Sequence, residues 1–457
     1  MQLLRRQKSI NFTEGVVIGK LLLFTVPILL SELLQNLYNT VDSYVVGNYV
    51  SDAALAAVSV CAPISNLLIG FFNGVSIGNT VVVAKAFGRG DESATRKAVS
   101  YAFTFSVVMG VIVSALGILL APVLLHITGC NEEIYEQAIV YLRIYLAGLM
   151  FTVIYNCGTG ILRAIGDSAS PLYVLMLTTV LNIGLDLLFV IAFGWGIAGV
   201  GIATIVAQGL SMLLVYILIR RRTGKNPLDF VRTWRDGRKV IIGSVQVGFA
   251  AGLQNALISF SNLFVWSYIS GFPTAVTAGV GVGMKVDRFV VMPCKSLAMT
   301  TTTFVSQNLG ARNYERAKKG FLYGFGLSTA VTMPLALLLY LFAEPVINLF
   351  SSDPAVIHTG AAMSRFLAPI YIIMVLREVL LGYLRGYGIS RVPMLLSLIG
   401  MVAVRHVYLA FVMPRVGTVQ VFYTSFPIGW GATLILLIVF TLIMRKRMWR
   451  KAEEEAA

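Results

Sequence analysis

The chain has 457 residues, of which 57% are hydrophobic and 12% are charged, and its mean hydropathy is +0.81. A soluble domain is typically about 45–50% apolar and about 25% charged, so these values exclude a water-soluble globular protein. The net charge of +15 could suggest nucleic-acid binding, but the basic residues are concentrated beside long apolar stretches, as in membrane proteins. We therefore expect a protein embedded in a lipid bilayer, with no nucleic-acid partner.

Twelve apolar segments are long enough to cross the hydrocarbon layer as helices, which takes about 20 residues. No connection between them is long enough to form a soluble domain. The sequence therefore predicts an all-α integral membrane protein with twelve transmembrane helices. The predicted spans are residues 17–48, 52–87, 98–122, 134–163, 170–194, 197–220, 240–271, 275–309, 318–343, 356–386, 392–414 and 417–444.

The second half of the chain repeats the first at an offset near 222 residues. Arg163 in the stretch LRAIGDS matches Arg385 in LRGYGIS, and Gly88 and Gly310 each precede a basic turn at the same offset. One offset across this much chain indicates two homologous halves of six helices. Because six is an even number, the halves have the same orientation, and we expect two pseudo-symmetric six-helix lobes around an axis along the membrane normal.

Basic residues alternate between the connections in a way that predicts orientation. The connection from Arg220 to Lys239 is strongly basic, as are both ends of the chain, and basic connections remain in the cytoplasm. We expect both termini to be cytoplasmic in a multi-pass protein of the cell membrane. The predicted organisation is an N-terminal cytoplasmic segment (1–16), an amino lobe (17–220), a basic linker (221–239), a carboxy lobe (240–445) and a cytoplasmic tail (446–457).

Ionisable residues inside a predicted span are costly and therefore indicate functional sites. In the first half these are Glu32, Asp42 and Asp186, and Asn182 shares a helix face with Asp186 because the two are four residues apart. Carboxylate and amide oxygens of this kind can hold a proton or a sodium ion. The alternative is that they only form hydrogen bonds to neighbouring helices.

The predicted spans of the second half are unusually basic. Their charged residues include Lys285, Arg288, Lys295, Arg377 and Arg405, against Asp287 and Glu378. Two interpretations remain open. These groups could form a buried ion-pair network between helices eight, ten and eleven, or they could line a cavity that attracts an anionic or zwitterionic substrate.

The chain resembles the multidrug and toxic compound extrusion (MATE) family. The resemblance is carried by the twelve spans and their duplication, by the stretch QNLYNTVD at residues 35–42, and by the GRG, GAR and paired LRA/LRG turns. It implies a V-shaped, two-lobed antiporter that exports organic molecules in exchange for protons or sodium ions. The family's amino-lobe ion site is similar to Asp42, Asn182, Asp186 and Thr204, and its bending proline in the first helix is similar to Pro27.

The resemblance also indicates where the transported solute would bind. Gln35 and Asn156 would line the amino-lobe cavity, and the seventh helix carries Gln254-Asn255 where another branch of the family has a coupling acid. That difference argues against ion coupling through the carboxy lobe. The full set of expected cavity residues is Gln35, Asn36, Asn156, Gln254, Asn255, Lys285, Arg288, Arg377 and Arg405.

The motifs expected of other function classes are missing from the sequence. It has no HExxH, nucleophile elbow or phosphate-binding GxxxxGK[ST] motif, so we expect neither an enzyme nor direct ATP coupling. We expect a secondary transporter of small organic solutes, acting as a monomer, with no cofactor and with H⁺ or Na⁺ as its coupling ion. The nearest alternative is a flippase for lipid-linked precursors. The identity and charge of the solute remain open.

Overall fold

The structure is a computed structural model that describes the backbone of residues 9–454 and the side chains of residues 9–444 except Asn39, Ser43 and Asp52. The side chains of the basic residues predicted to mark the two cytoplasmic ends lie outside the described residues. They are Arg5, Arg6, Lys8, Arg445, Lys446, Arg447, Arg450 and Lys451. Within the described chain every regular element is a helix, as the composition predicted.

The first half contains six long helices. They are α1 (Val17–Tyr49), α2 (Asp52–Gly88), α3 (Glu92–Ile127), α4 (Glu132–Ala164), α5 (Ala169–Leu187) and α6 (Gly196–Thr223). The fifth helix continues through a π-helical turn, Leu188–Ala192, in which the backbone hydrogen bonds skip one more residue than in an α-helix. The third helix is longer than the predicted span of 98–122, because Asp91 accepts bonds from the N–H groups of Ser93 and Ala94 and starts the helix early.

The second half begins with a short helix that the sequence did not predict, α7 (Phe230–Asp236), inside the basic linker. Long helices follow as α8 (Arg238–Ser267), α9 (Thr274–Gly310) and α10 (Tyr314–Leu341), then a short α11 (Ala343–Asn348). The tenth span is divided into α12 (Pro354–Leu367) and α13 (Tyr371–Gly386). The eleventh is α14 (Arg391–Leu398), a π-helical turn (Ile399–Val404) and α15 (Arg405–Val416), and the last is α16 (Val419–Glu454).

Eleven of the described helical segments are long and apolar enough to cross a membrane. The one predicted span that is not among these eleven is 275–309, which corresponds to α9. This helix has 37 residues and carries four charged side chains, Lys285, Asp287, Arg288 and Lys295. The chain is thus an all-α integral membrane protein with twelve transmembrane helices in two pseudo-symmetric six-helix lobes.

Two compact units make up the fold, and their limits differ from the predicted lobes. The first comprises residues up to Asn11 and Val26–Gly252, so it includes the first half of α8. Glycine residues at the contact between α2 and α8 explain why the first half of α8 belongs to the first unit. A Cβ atom on Gly74 of α2 would lie 2.1 Å from the backbone nitrogen of Gly252, and one on Gly78 would lie 2.1 Å from the Ser244 carbonyl oxygen. Only glycine permits helices to pack this closely.

The second unit comprises Phe12–Thr25 and Leu253 onward. Phe12 is completely buried in it, and its ring packs against Phe24 and Phe304 with centroids 5.1 and 5.6 Å apart. Gln307 accepts from the Phe12 backbone N–H at 2.9 Å, and Arg316 donates to the Phe12 carbonyl at 2.9 Å. The segment from Phe12 to Thr25 is therefore a structural part of the second unit.

The internal repeat extends to individual hydrogen bonds. The Thr80 hydroxyl donates to the Gly160 carbonyl at 3.1 Å, and the Thr302 hydroxyl donates to the Gly382 carbonyl at 2.9 Å. Both partners are displaced by the same 222 residues that relate Arg163 to Arg385. Each unit therefore joins its second and fourth helices by the same contact.

Candidate functional site

Three polar side chains meet inside the first unit, as predicted. Asn182 and Asp186 lie on successive turns of α5 and are fully buried, and Asp42 of α1 lies against them. With its amide nitrogen facing the acids, Asn182 donates to Asp42 Oδ1 at 3.0 Å and to Asp186 Oδ2 at 3.2 Å. The second carboxylate oxygen of Asp186 has no hydrogen-bond partner among the described side chains. A fully buried carboxylate and a partly buried one therefore share one amide.

Two carboxylates placed this close together, one of them fully buried, cannot both remain charged at low cost, because like charges repel strongly where little water screens them. A proton shared between them or a cation bound by their oxygens removes the repulsion. The amide between them suits either state, since it offers a donor at one end and an acceptor at the other. The arrangement is chemically able to bind and release a small cation.

Thr204 joins this group through a residue that the sequence analysis did not select. The Tyr38 hydroxyl donates to Thr204 Oγ1 at 3.3 Å, and Thr204 itself donates to the Val200 carbonyl at 3.0 Å. The Asp42 carboxyl lies within hydrogen-bonding reach of both Asp186 and Tyr38. Tyr38 precedes Asp42 by four residues, so the helical spacing that paired Asn182 with Asp186 would also have identified it.

A π-helical turn adjoins the acidic pair. It begins at Leu188, two residues after Asp186, and interrupts the regular hydrogen bonding of the fifth span. Such turns are frequent at functional sites, because one extra residue in the turn changes the direction in which neighbouring side chains point. The turn here lies at the part of α5 that carries the buried acid.

The other predicted residues of the amino half occupy separate positions. Pro27 lies within α1, and its carbonyl accepts from the Ser31 hydroxyl at 2.8 Å. Gln35 is half-buried, and Asn36 donates to the Glu32 carbonyl at 2.9 Å. Asn156 is buried with its amide nitrogen unpartnered among the described side chains, so it retains a donor that a solute could use.

In the second unit the predicted basic residues differ in their surroundings. Arg377 is buried and forms an ion pair with Glu378, its neighbour on α13. Arg405 is also buried, but its partners are neutral: Asn262 Oδ1 at 2.8 Å and Ser425 Oγ at 3.2 Å. Because these partners are not acids, an ion-pair network between helices eight, ten and eleven does not describe the contacts of Arg405.

The remaining predicted residues of this unit lie on α8 and α9. Gln254 is buried and accepts from Arg385 at 3.1 Å, whereas Asn255 is half-buried. Lys285 and Arg288 are exposed side chains three residues apart on α9. Asp287 between them accepts instead from the Tyr371 hydroxyl, as expected of an acid on a different helix face.

Comparison with known proteins gives the family. The MatE family model matches residues 27–188 and 250–412, which together cover most of the chain and fall one in each half. The chain is 27% identical over 425 residues to the probable multidrug resistance protein YoeA of Bacillus subtilis, covering 91% of each chain.

Solved structures show the same fold. An outward-facing multidrug resistance MATE family transporter matches with a TM-score of 0.86 at 21% identity, covering 98% of this chain and 99% of that one. A transporter from Pyrococcus furiosus, described as having a binding pocket of reverse polarity, matches with a TM-score of 0.85 at 22% identity, covering 97% and 98%. With both halves matched by the family model, the chain belongs to the MatE family and is a membrane transporter of the multidrug and toxic compound extrusion type.

Proposed function

We propose that this transporter exports small organic solutes across the cytoplasmic membrane in exchange for protons or sodium ions. The observation that carries the proposal is the buried group formed by Asp42, Asn182 and Asp186. Buried acids inside a membrane span are costly unless they bind something that neutralises them. The name of the similar Bacillus subtilis protein, a probable multidrug resistance protein, supports export of several organic solutes.

The coupling ion would bind between the two carboxylates. When the site is empty, the Asn182 nitrogen donates to both acids and holds them together. When sodium is bound, the amide turns so that its oxygen joins the two carboxylates, and Tyr38 and Thr204 supply the neighbouring hydroxyl oxygens. Sodium and protons both suit a site of oxygen atoms. Export is then driven because the ion and the solute favour different conformations of the transporter.

Pro27 would supply the bend in α1 that accompanies ion binding. Proline has no backbone N–H, so it removes one hydrogen bond from the helix and makes bending easier at that point. Asp42 lies fifteen residues further along the same helix. A change in the position of Asp42 on binding an ion can therefore be accommodated at Pro27 without disrupting the rest of α1.

Each half offers polar side chains that could bind a solute. In the amino lobe Gln35, Asn36 and Asn156 would supply hydrogen bonds, and the unpartnered amide of Asn156 is the best supported of the three. In the carboxy lobe the basic residues would set the preferred charge of the solute. A lipid-linked precursor flippase is not favoured, because the similar curated protein is named for multidrug resistance.

We further propose that both termini and the basic linker are cytoplasmic, with the lobes spanning 17–220 and 240–445, and that one chain suffices for transport. The cluster of arginines and lysines from Arg220 to Lys239 supports this orientation, since basic connections remain inside the cell. Labelling of a single cysteine placed in α7, from either side of a sealed vesicle, would test it.

The ion-coupled export is tested in proteoliposomes with pH and sodium gradients imposed separately, using a panel of cationic and anionic fluorescent solutes. Asp186→Asn is expected to abolish gradient-driven export while leaving the protein folded. Asp236→Asn, which removes an exposed acid paired with Arg235 in α7, is the matched control. Export by the Asp186 variant at the rate of the control would refute the proposed site.

A further inference from the structure

Arg405 is a buried cation without a buried anion. Its side chain is only 1% exposed, and no acid of the described residues forms an ion pair with it. Its Nη1 donates to Asn262, its Nε donates to Ser425, and the guanidinium lies 4.1 Å from the centroid of the Phe426 ring. The remaining nitrogen, Nη2, has no hydrogen-bond partner among the described side chains. A buried charge in this state is costly unless an anion completes it.

Arg405 lies on the span that repeats the one carrying the acidic group of the other half. Helices α8 and α14–α15 are the repeats of α1 and α5, and the offset that places Gln254 on Gln35 places Ser261 on Asp42. Counting by the offset of Arg385 from Arg163, Arg405 matches Ile183, the residue that follows Asn182. The fifth and eleventh spans each contain a π-helical turn, which follows Asp186 in the fifth and precedes Arg405 in the eleventh. Arg405 is therefore a basic counterpart of the acidic group on the repeated span, one residue out of register with Asn182.

A polar face on α8 leads to this counterpart. Asn255, Ser259 and Asn262 are spaced by four and three residues and so share one side of the helix. Asn262 is exposed although it bonds to the buried Arg405, so a single amide separates the guanidinium from the outside of the unit. Polar side chains on a membrane helix face water or protein rather than lipid, which makes this face a route for a polar solute.

The charged side chains on the spans of the second unit favour an anion over a cation. Lys285, Arg288 and Lys295 are exposed, and their spacing places them within about a quarter-turn of one another around α9. The two acids of these spans, Asp287 and Glu378, also interact with these cations and with Arg377, but they are fewer than the cations. An excess of cations in a medium of low polarity attracts anions strongly.

We propose that Arg405 and Asn262 form a binding site for the carboxylate or phosphate group of an exported organic anion. The anion takes the place of the Asn262 oxygen on Nη1 and also accepts from the free Nη2, so that two parallel charge-assisted hydrogen bonds hold it. Asn262 keeps the guanidinium hydrogen-bonded when no solute is present. Export of the anion rests on the proposed function, whereas binding of the anion depends only on residues of the second unit.

The test measures binding to the purified full-length protein in a neutral maltoside detergent, without any ion gradient. Flavin mononucleotide and riboflavin are one probe pair, because they differ only in a phosphate group. Dansylglycine and dansylglycinamide are a second pair, in which a carboxylate replaces a neutral amide. The wild-type protein is expected to bind the anionic member of at least one pair more tightly, by roughly tenfold or more. The pair that shows the difference identifies the preferred anion.

Three variants separate the site from a general effect on folding. Arg405→Gln is expected to lose the preference for the anionic probe, and Arg405→Lys to retain part of it because the charge remains. Asn262→Asp keeps the arginine but supplies a permanent internal carboxylate, which should compete with the anion and weaken its binding. Arg365→Gln, which removes a half-exposed cation paired with Glu344 in the same unit, should leave the preference unchanged.

The proposal is overturned if the wild-type protein binds both members of each pair equally, or if Arg405→Gln and Asn262→Asp keep the wild-type preference. The anion site and the proposed ion coupling can be tested independently of each other. If Asp186→Asn exports at wild-type rates while Arg405→Gln loses the anion preference, the ion site is wrong and the anion site stands. If Asp186→Asn abolishes export while Arg405→Gln keeps the anion preference, only the anion site is wrong.

Discussion

The Tyr38 hydroxyl donates to Thr204 Oγ1 over 3.3 Å and so connects α1 with α6 beside the buried acids. Tyr38→Phe removes only this hydroxyl. If the ion site requires it, export should slow by about two- to tenfold, the range expected for one net hydrogen bond. The rate of solute export from proteoliposomes measures the effect. Tyr216→Phe is the control, since its hydroxyl bonds to Asn226 in an exposed position. Equal rates for the two variants would show that Tyr38 has no part in coupling.

The ion pair between Asp167 and Arg222 should be a main source of stability in the first unit. The two side chains meet at 2.6 Å, and Asp167 is 3% exposed. Asp167→Asn leaves a largely buried arginine without its anion, so we expect the free energy of unfolding to fall by about 3 kcal/mol. Thermal unfolding in detergent measures the loss. Glu92→Gln, in a pair whose acid is 85% exposed, should change stability by less than about 1 kcal/mol. A similar small change for Asp167→Asn would contradict the assignment.

Arg312 adopts a left-handed backbone conformation, with φ at 58°, at the position where the repeat has Gly90 with φ at 73°. A residue with a side chain is strained there, so Arg312→Gly should stabilise the protein by about 0.5–1 kcal/mol after the greater freedom of the unfolded glycine is subtracted. The converse change, Gly90→Ala, should destabilise it, and no atom within 4 Å complicates that substitution. A rise in melting temperature for the first variant and a fall for the second is the expected result. If both variants lower the melting temperature, the left-handed backbone at Arg312 is not strained.

Phe12 should fix the beginning of α1 to the second unit. Phe12→Ala opens a cavity beside Phe24 and Phe304, and a buried phenylalanine typically contributes about 3 kcal/mol or more. We expect faster hydrogen–deuterium exchange in residues 17–25 than in the wild-type protein. Phe230→Ala, at a half-exposed position in α7, is the matched control. Unchanged exchange in residues 17–25 would show that the ring does not anchor the helix.

Much of the fold could be predicted from the sequence because membrane spans have a strong hydrophobic signal and the duplication supplies a second one. The offset from Arg163 to Arg385 also predicts α9 as the repeat of α2, although α9 carries four charged side chains. The π-helical turns could not be predicted in this way. They change the hydrogen-bond pattern of the backbone without changing the hydropathy of the side chains.

The acidic group around Asp186 and the polar group around Arg405 differed in how much of each could be identified from the sequence. Asn182 and Asp186 are close in the chain, so helical spacing alone pairs them, and the family resemblance was needed to join Asp42 and Thr204 to them in one site. Arg405 and Asn262 lie far apart in the chain and belong to no shared motif. A buried arginine in a membrane span favours an acidic partner, so the sequence predicts an ion-pair network with Asp287 and Glu378 rather than a bond to a neutral amide on α8.

The matched bonds from Thr80 to Gly160 and from Thr302 to Gly382 have a consequence for how the two halves could diverge. A hydroxyl bonded to a glycine carbonyl joins two helices without any charged or bulky side chain. Acidic residues elsewhere in either half could therefore be exchanged for basic ones without compensating changes in the packing of these helices.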